Sequence, residues 1–290
     1  MVDWVTPEHS RNQVDKAGAA LIDPSKGQGE RREAFEVLSN WRASHSYPLN
    51  TFQITLRRKA RRIYRSALVA QRLKRAPSII RKLERFRKMR LARMQDIAGC
   101  RAVLRTVREV ERLRQAYEKA GFDHELVNLK DYLSEPKRSG YRGVHLIYRY
   151  RNSRLPEYDK LQVEIQLRSQ QQHSWATAVE TVGTFLQKAL KSSEGPERWL
   201  EFFRYCGAAF SEAEGTGVVP DIDLEGKALA ERLQGMIDEL QVFNTLKTYR
   251  LATQATSTPE MRALEDAKYF LLVLNAEEES LTIRGFRARQ

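Results

Sequence analysis

Two carboxylates in this sequence sit where chemistry can use them. Asp96 opens "DIAGCR", immediately before an apolar, strand-like run, with Gly99 and Arg101 close behind. Glu164 lies inside "VEIQLRSQQQHSW", where strand alternation sends Val163, Ile165 and Leu167 to one face and Glu164, Gln166 and Arg168 to the other. A strand face carrying a carboxylate, an amide and a guanidinium builds no core on that side. It must meet water, a partner or a ligand. Alone, Asp96 reads as a turn cap. Together, Asp96 and Glu164 suit one Mg²⁺, which takes one or two carboxylates and completes its shell with substrate phosphates and water. That chemistry is phosphoryl or pyrophosphoryl transfer, in which catalysis is mostly positioning and charge neutralisation.

Two further stretches supply partners for phosphates and a base. In "RLKRAPSIIRK", Arg72, Lys74, Ser78 and Lys82 gather cations and a hydroxyl about a helix start, and Ser78 and Lys82 stand one helical turn apart on a shared face. In "KDYLSEPKRSGYRGVH", residues from Lys137 to Gly140 form a basic loop, and Tyr141 follows a glycine. An aromatic ring there can stack on any nucleobase. The alternative is a hairpin entry with Tyr141 in the core.

The elements that must position these residues follow from periodicity. Residues 1–45 read as helical, with Ser10 as an N-cap and an apolar stripe continuing through Phe35, Leu38 and Trp41. Pro48 predicts a break at "SYPLN". Residues 51–73 read as one long basic helix, and Pro77 as the first turn of another. "CRAVLRT", "YRGVHLIYRYR" and "KLQVEIQLR" read as strands. An amphipathic helix from Val107 towards Gly121 and a second across "QQQHSWATAVETVGTFLQKAL" complete a strand–helix–strand–strand–helix order. That order defines an α+β arrangement with a mixed sheet. Past residue 195 the sequence reads as helices, then a short helix and a hairpin around Asn275 to Glu279.

Composition sets the class. The chain has 290 residues, 41% hydrophobic and 30% charged, which fits a folded globular protein. It has no apolar run long enough for a membrane span and no secretory leader pattern. Cys100 and Cys206 are far apart without metal-type spacing, and read as buried thiols in a reducing, cytoplasmic setting. The net charge is +13, and residues 56–95 alone carry sixteen Lys or Arg against one acid, Glu84. So lopsided a block calls for a polyanion.

Taken together, these motifs resemble the synthetase domain of the RelA/SpoT family, including the small alarmone synthetases, over roughly Arg72 to Glu180. The resemblance implies a mixed five-stranded sheet flanked by helices, like that of nucleotidyltransferases, with a mainly helical C-terminal extension ending in a hairpin. It implies three segments: an N-terminal helical region over 1–55, the pyrophosphotransferase domain over 56–192 and an accessory region over 193–290. The implied activity transfers the β,γ-diphosphate of ATP to the ribose 3′-hydroxyl of GDP or GTP and releases AMP.

Carried over by residue, Arg72 and Arg101 sandwich the adenine. Lys74, Ser78 and Lys82 hold its phosphates. Asp96 and Glu164 bind Mg²⁺, and Glu164 takes the hydroxyl proton. Tyr141 stacks on the acceptor guanine, with Lys137 and His145 near its phosphates. Gln166, Arg168 and His173 line the pocket floor.

The departures matter too. Gly143 replaces a frequent Ser after "GYR", and Ser169 replaces a frequent Thr. No His-Asp dipeptide occurs, so no hydrolase activity is expected. "NWRASHSYPLNTF" and "YFLLVLN…SLTIRGF" resemble the toxic branch of the small synthetases, some of which modify the 3′ end of tRNA. The surplus of cations in 56–95 is what a tRNA acceptor would use. A catalytically inactive RNA-binding module is the reading outside enzymology. Expected partners are ATP and GDP or GTP, with tRNA, an antitoxin or a second copy as further candidates, and no membrane.

Overall fold

A computed structural model describes residues 4–119, 122–185 and 196–247. The chain starts with three helices: α1 (Arg11–Ile22), α2 (Gln28–Ser44) and α3 (Ser46–Ile63). Strand β1 (Leu68–Leu73), helix α4 (Ala76–Arg85), strand β2 (Ala98–Leu104) and helix α5 (Val107–Glu118) follow. Then come β3 (Glu125–Asp131), β4 (Val144–Arg149) and β5 (Gln162–Ser169), and after them α6 (Gln170–Phe185), α7 (Glu197–Glu214) and α8 (Gly226–Glu239). The five strands form one sheet in the order β1-β2-β5-β4-β3. β1 runs antiparallel to β2, with Arg72 opposite Gly99 and Ala70 opposite Arg101.

Local sequence accounts for much of this. Ser10 caps α1 through a reciprocal box with Gln13, satisfying two backbone donors that the first turn leaves open. Pro77 sits in the first turn of α4, where a missing N–H costs nothing. The two central strands carry the core: Val163, Ile165 and Leu167 of β5 and Ala98, Cys100 and Ala102 of β2 are all buried.

Four details depart from the sequence reading. The long helix expected over 51–73 stops at Ile63, and residues 68–73 form an edge strand, so Arg72 stands on a strand. Pro48 lies inside the first turn of α3, and the break between α2 and α3 falls at His45. In α2 the buried stripe is Ala34, Leu38 and Trp41, while Phe35 is exposed. Strand β3 was not foreseen. The hairpin expected around Asn275 and the stop expected at Gly121 lie outside the described residues.

Two compact units divide the chain. The first combines the N-terminal helices with residues up to 104, 108–130 and 145–167; the second combines 105–107, 131–144 and residues from 168 onward. The N-terminal helices therefore group with the sheet, and the loop before β4 groups with the C-terminal helices. Cys100 and Cys206 are both buried free thiols, as expected. No helix among the described residues is long and apolar enough to cross a membrane.

His45 holds the α2–α3 junction, fully buried, with its Nδ1 2.7 Å from the Trp41 carbonyl. Burial pushes its pKa down to about 4, only partly offset by that hydrogen bond. The unfolded chain binds a proton at about pH 6.5. Stability from this group is therefore complete above about pH 6.5 and is lost as pH falls towards 4, by about 3 kcal/mol in all. Denaturant titrations from pH 7 to pH 4 should show this slope, and His45→Gln should flatten it.

Candidate active site

The first unit holds nine of the residues singled out in the sequence. Lys74 follows β1. Its N–H donates to the Ile97 carbonyl at 2.8 Å, and its carbonyl accepts from Arg42 Nε of α2 at 2.8 Å. Lys82 stands one turn after Ser78 on α4. Both ammonium groups reach Asp96, Lys74 Nζ at 3.1 Å from Oδ2 and Lys82 Nζ at 2.8 Å from Oδ1. Asp96 is thus no turn cap; it is the hub of an ion-pair triad. Burial raises its pKa, but the two lysines outweigh burial and hold it below the usual carboxylate range.

Glu164 is the second hub. Its Oε1 lies 2.9 Å from His145 Nδ1, and its Oε2 accepts from Gln166 Nε2 at 2.7 Å. Burial works to raise its pKa. The His145 hydrogen bond and charge, the Gln166 amide and the Lys82 ammonium together reverse this and hold it down to about 2. Lys82 therefore acts on both carboxylates. Along β5 the half-buried positions are Gln162, Glu164 and Gln166, the open counterpart of its buried apolar positions. Arg72 and Arg101 lie on neighbouring strands of an antiparallel pair, two positions out of register and so on one face. Arg72 is exposed, Arg101 half-buried, and Ser78 half-buried at the start of α4.

The second unit holds the remaining residues. Tyr141 is 6% exposed and packs edge-on against Tyr132 and Trp175. Its hydroxyl accepts from Arg168 Nη2 at 3.0 Å. Lys137 Nζ and the Arg168 guanidinium each lie 5.2 Å from its ring centre. Arg168 is itself buried, so the polar face expected for β5 is open at Glu164 and Gln166 but closed at Arg168. His173 is buried on α6. Tyr141, Trp175, Phe203 and Arg204 line a cleft of about 420 Å³. Gly143 has φ +144°, a conformation that L side chains rarely adopt, which suits a glycine.

Sequence reasoning missed Arg142, which is 2% exposed and pairs with Glu214 at 2.5 Å. Nothing in the sequence links residues so far apart. The one available signal was a lone basic residue beside Tyr141.

The fold has known counterparts. The model of the region found in RelA / SpoT proteins matches residues 71–183. The small alarmone synthetase 1 structure from Bacillus subtilis aligns with a TM-score of 0.50 at 25% identity, covering 59% of this chain and 88% of that one. Small alarmone synthetase 2 from Bacillus subtilis aligns at 0.51 and 19% identity, covering 61% and 94%. The fold is therefore the α+β, mixed five-stranded sheet with flanking helices of the small alarmone synthetases. Over residues 71–183 the chain thus resembles RelA/SpoT proteins. It is also 36% identical over 84 residues to GTP pyrophosphokinase YjbM of Bacillus subtilis (strain 168), a match spanning 29% of this chain and 39% of that protein.

If Asp96 is the hub of the triad, Asp96→Asn leaves two half-buried ammonium groups facing each other. The side chains keep 17% to 28% exposure, so water screens part of the loss. The expected destabilisation is about 1 kcal/mol. Added inorganic triphosphate should restore more stability in Asp96→Asn than in the parent protein, measured by thermal melts.

Proposed function

We propose that this protein is a pyrophosphotransferase that moves the β,γ-diphosphate of ATP to the ribose 3′-hydroxyl of GDP or GTP. The observation that supports it best is the pair of ionised carboxylate hubs sharing Lys82, with Lys74 on the first and His145 and Gln166 on the second. In the reaction the 3′-oxygen bonds to the β-phosphorus. The bond from that phosphorus to the oxygen bridging the α-phosphate breaks, and AMP leaves. Glu164 receives the hydroxyl proton, and it must lie within hydrogen-bond reach of that hydroxyl. Lys74, Ser78 and Lys82 bind the phosphate chain, and Arg72 and Arg101 flank the adenine. Lys137, Tyr141, His145, Gln166, Arg168 and His173 serve the acceptor. The catalytic region is 56–192, and the chain works in the cytoplasm.

Asp96 and Glu164 would hold Mg²⁺. Both are ionised oxygen donors that keep some exposure, and one or two carboxylates are the usual protein share of such a site. The ion's contribution is to neutralise charge on the phosphates.

One observation favours a second acceptor, the 3′ end of tRNA. Of the sixteen cations in 56–95, thirteen are exposed; only Lys59, Lys74 and Lys82 are half-buried. Arg57, Arg58, Arg61 and Arg62 form the solvent side of α3, opposite Phe52, Leu56 and Ala60. ATP occupies few of these, and a backbone of phosphates would use the rest.

Protein incubated with ATP labelled on the γ-phosphate, Mg²⁺ and, separately, GDP, GTP or deacylated tRNA should transfer label to a guanine nucleotide. Glu164→Gln should abolish transfer and leave ATP binding intact. Label on tRNA would replace the first reading with the second, and label on neither would remove both. Changing Arg57, Arg58, Arg61 and Arg62 to Glu should leave guanine-nucleotide turnover within about twofold, because free nucleotides do not span that face. His145→Ala should lower kcat by about 10–100-fold through the loss of Glu164's partner.

A further inference from the structure

Helix α7 begins beyond the last residue matched to the RelA/SpoT region. It nevertheless touches the 131–143 loop at three levels. At the first, a Cβ on Gly140, which has φ +85°, would stand 2.9 Å from the Phe203 carbonyl oxygen. The Phe203 carbonyl also accepts from Trp175 Nε1 at 2.8 Å. One turn on, Gly207 meets the same glycine: a Cβ there would stand 2.5 Å from the Gly140 Cα. Only two glycines allow backbones this close. At the third level, Glu214 ends the helix. Its carboxylate accepts from Arg142 Nη1 at 2.5 Å, from Gln172 Nε2 at 3.0 Å and from Ser169 Oγ. Just past it, Gly217 N–H donates to the Leu133 carbonyl at 2.7 Å.

Arg142 adjoins Tyr141, and Ser169 adjoins Arg168, the residue bonded to the Tyr141 hydroxyl. One buried carboxylate thus joins the neighbours of both. The Arg142 and Glu214 side chains are 1% and 8% exposed, so little water can substitute for either partner. Buried ion pairs seldom add much net stability over apolar packing, but they do demand one geometry. A buried pair here is poorly explained as general glue and well explained as a device that fixes a loop.

We infer that Glu214 and Gly207 are positioning residues, through which α7 fixes the loop bearing Tyr141 for the acceptor nucleotide. This rests on the assignment of Tyr141 to the acceptor. The segment outside the matched region then tunes acceptor recognition, independently of the ATP-binding lysines.

The test is steady-state kinetics of three full-length variants, varying ATP and GDP separately, with thermal melts alongside. Glu214→Gln removes the charge that Arg142 faces. Gly207→Ala retains every charge and suits a helix, but its Cβ would stand 2.5 Å from the Gly140 Cα, so the loop or the helix must shift. Both should lower kcat/KM for GDP by about tenfold or more, since small misplacements near a reacting group are costly, with KM for ATP within about twofold. If both variants lose only active fraction, with neither KM moved, the role is structural and the inference falls. If Glu214→Gln fails to fold, Gly207→Ala decides alone. Tyr141→Ala separates the two levels: a raised GDP KM there with unmoved values in the α7 variants refutes the positioning role alone. An unmoved GDP KM in Tyr141→Ala refutes the acceptor assignment, and the positioning role with it.

Discussion

The placement of Asp96 between Lys74 and Lys82 is the constraint on which the rest of the site depends. Three charges leave bulk water together, which is tolerable only because each has a partner. The triad carries a net positive charge, and it joins the end of β1, the helix α4 and the turn before β2. A phosphate chain brought to it offers the lysines new oxyanions for the one they leave. The ammonium groups are already aimed, so little reorganisation accompanies binding. Fixed charges of this kind are worth most where water is scarce.

The same electrostatics restrict Glu164. His145, Gln166 and Lys82 keep it ionised, down to about pH 2, and a carboxylate that holds no proton readily is a weak base. The proposed reaction tolerates this. Phosphoryl transfer passes through a loose transition state in which the incoming oxygen has formed little bond and surrendered little of its proton. Ionisation and orientation then matter more than basicity, and those are what the His145 and Gln166 hydrogen bonds supply. Their role parallels that of the lysines at Asp96: each carboxylate is fixed at both oxygens.

How much was legible in the sequence follows from burial. β2, β4 and β5 are central, their alternation or apolar content is enforced by packing, and all three could be read. β1 and β3 are the sheet edges and contain no buried residue among them, so no hydrophobic period marks them. β1 also lies in the basic block, where helix-favouring Arg and Lys masked it. The Lys74, Lys82, Asp96 and Glu164 cluster was legible as residue types, because motif spacing carries it; the direct ion pairs among them were not. The Arg168 position shows the opposite error. Strand alternation put it on the open face with Glu164 and Gln166, yet it is closed over by Tyr141, because alternation fixes direction and not what covers it. Arg142 and Glu214 lie 72 residues apart in sequence, and no local pattern announces such a pair.

The basic block divides by burial into two populations with separate work. Lys59 donates to the Ala116 carbonyl at 2.7 Å and ties α3 to α5, while Lys74 and Lys82 hold Asp96. These three serve the fold and the site from inside. The thirteen exposed cations lie outside the two carboxylate clusters, only Arg72 among them being proposed for the nucleotide, and mutual repulsion makes them a standing cost. A surface that keeps such a cost has a use for it at long range, where charge steers polyanions before contact. Recognition of the acceptor at short range is a different problem, which the proposed reading gives to Tyr141, a buried aromatic on the loop against α7. Under that proposal a free nucleotide needs the loop alone, whereas a nucleic acid needs the loop and the surface. On the proposed reading the acceptor is set by two features that can change independently, one on α7 and its loop and the other on the open side of α3.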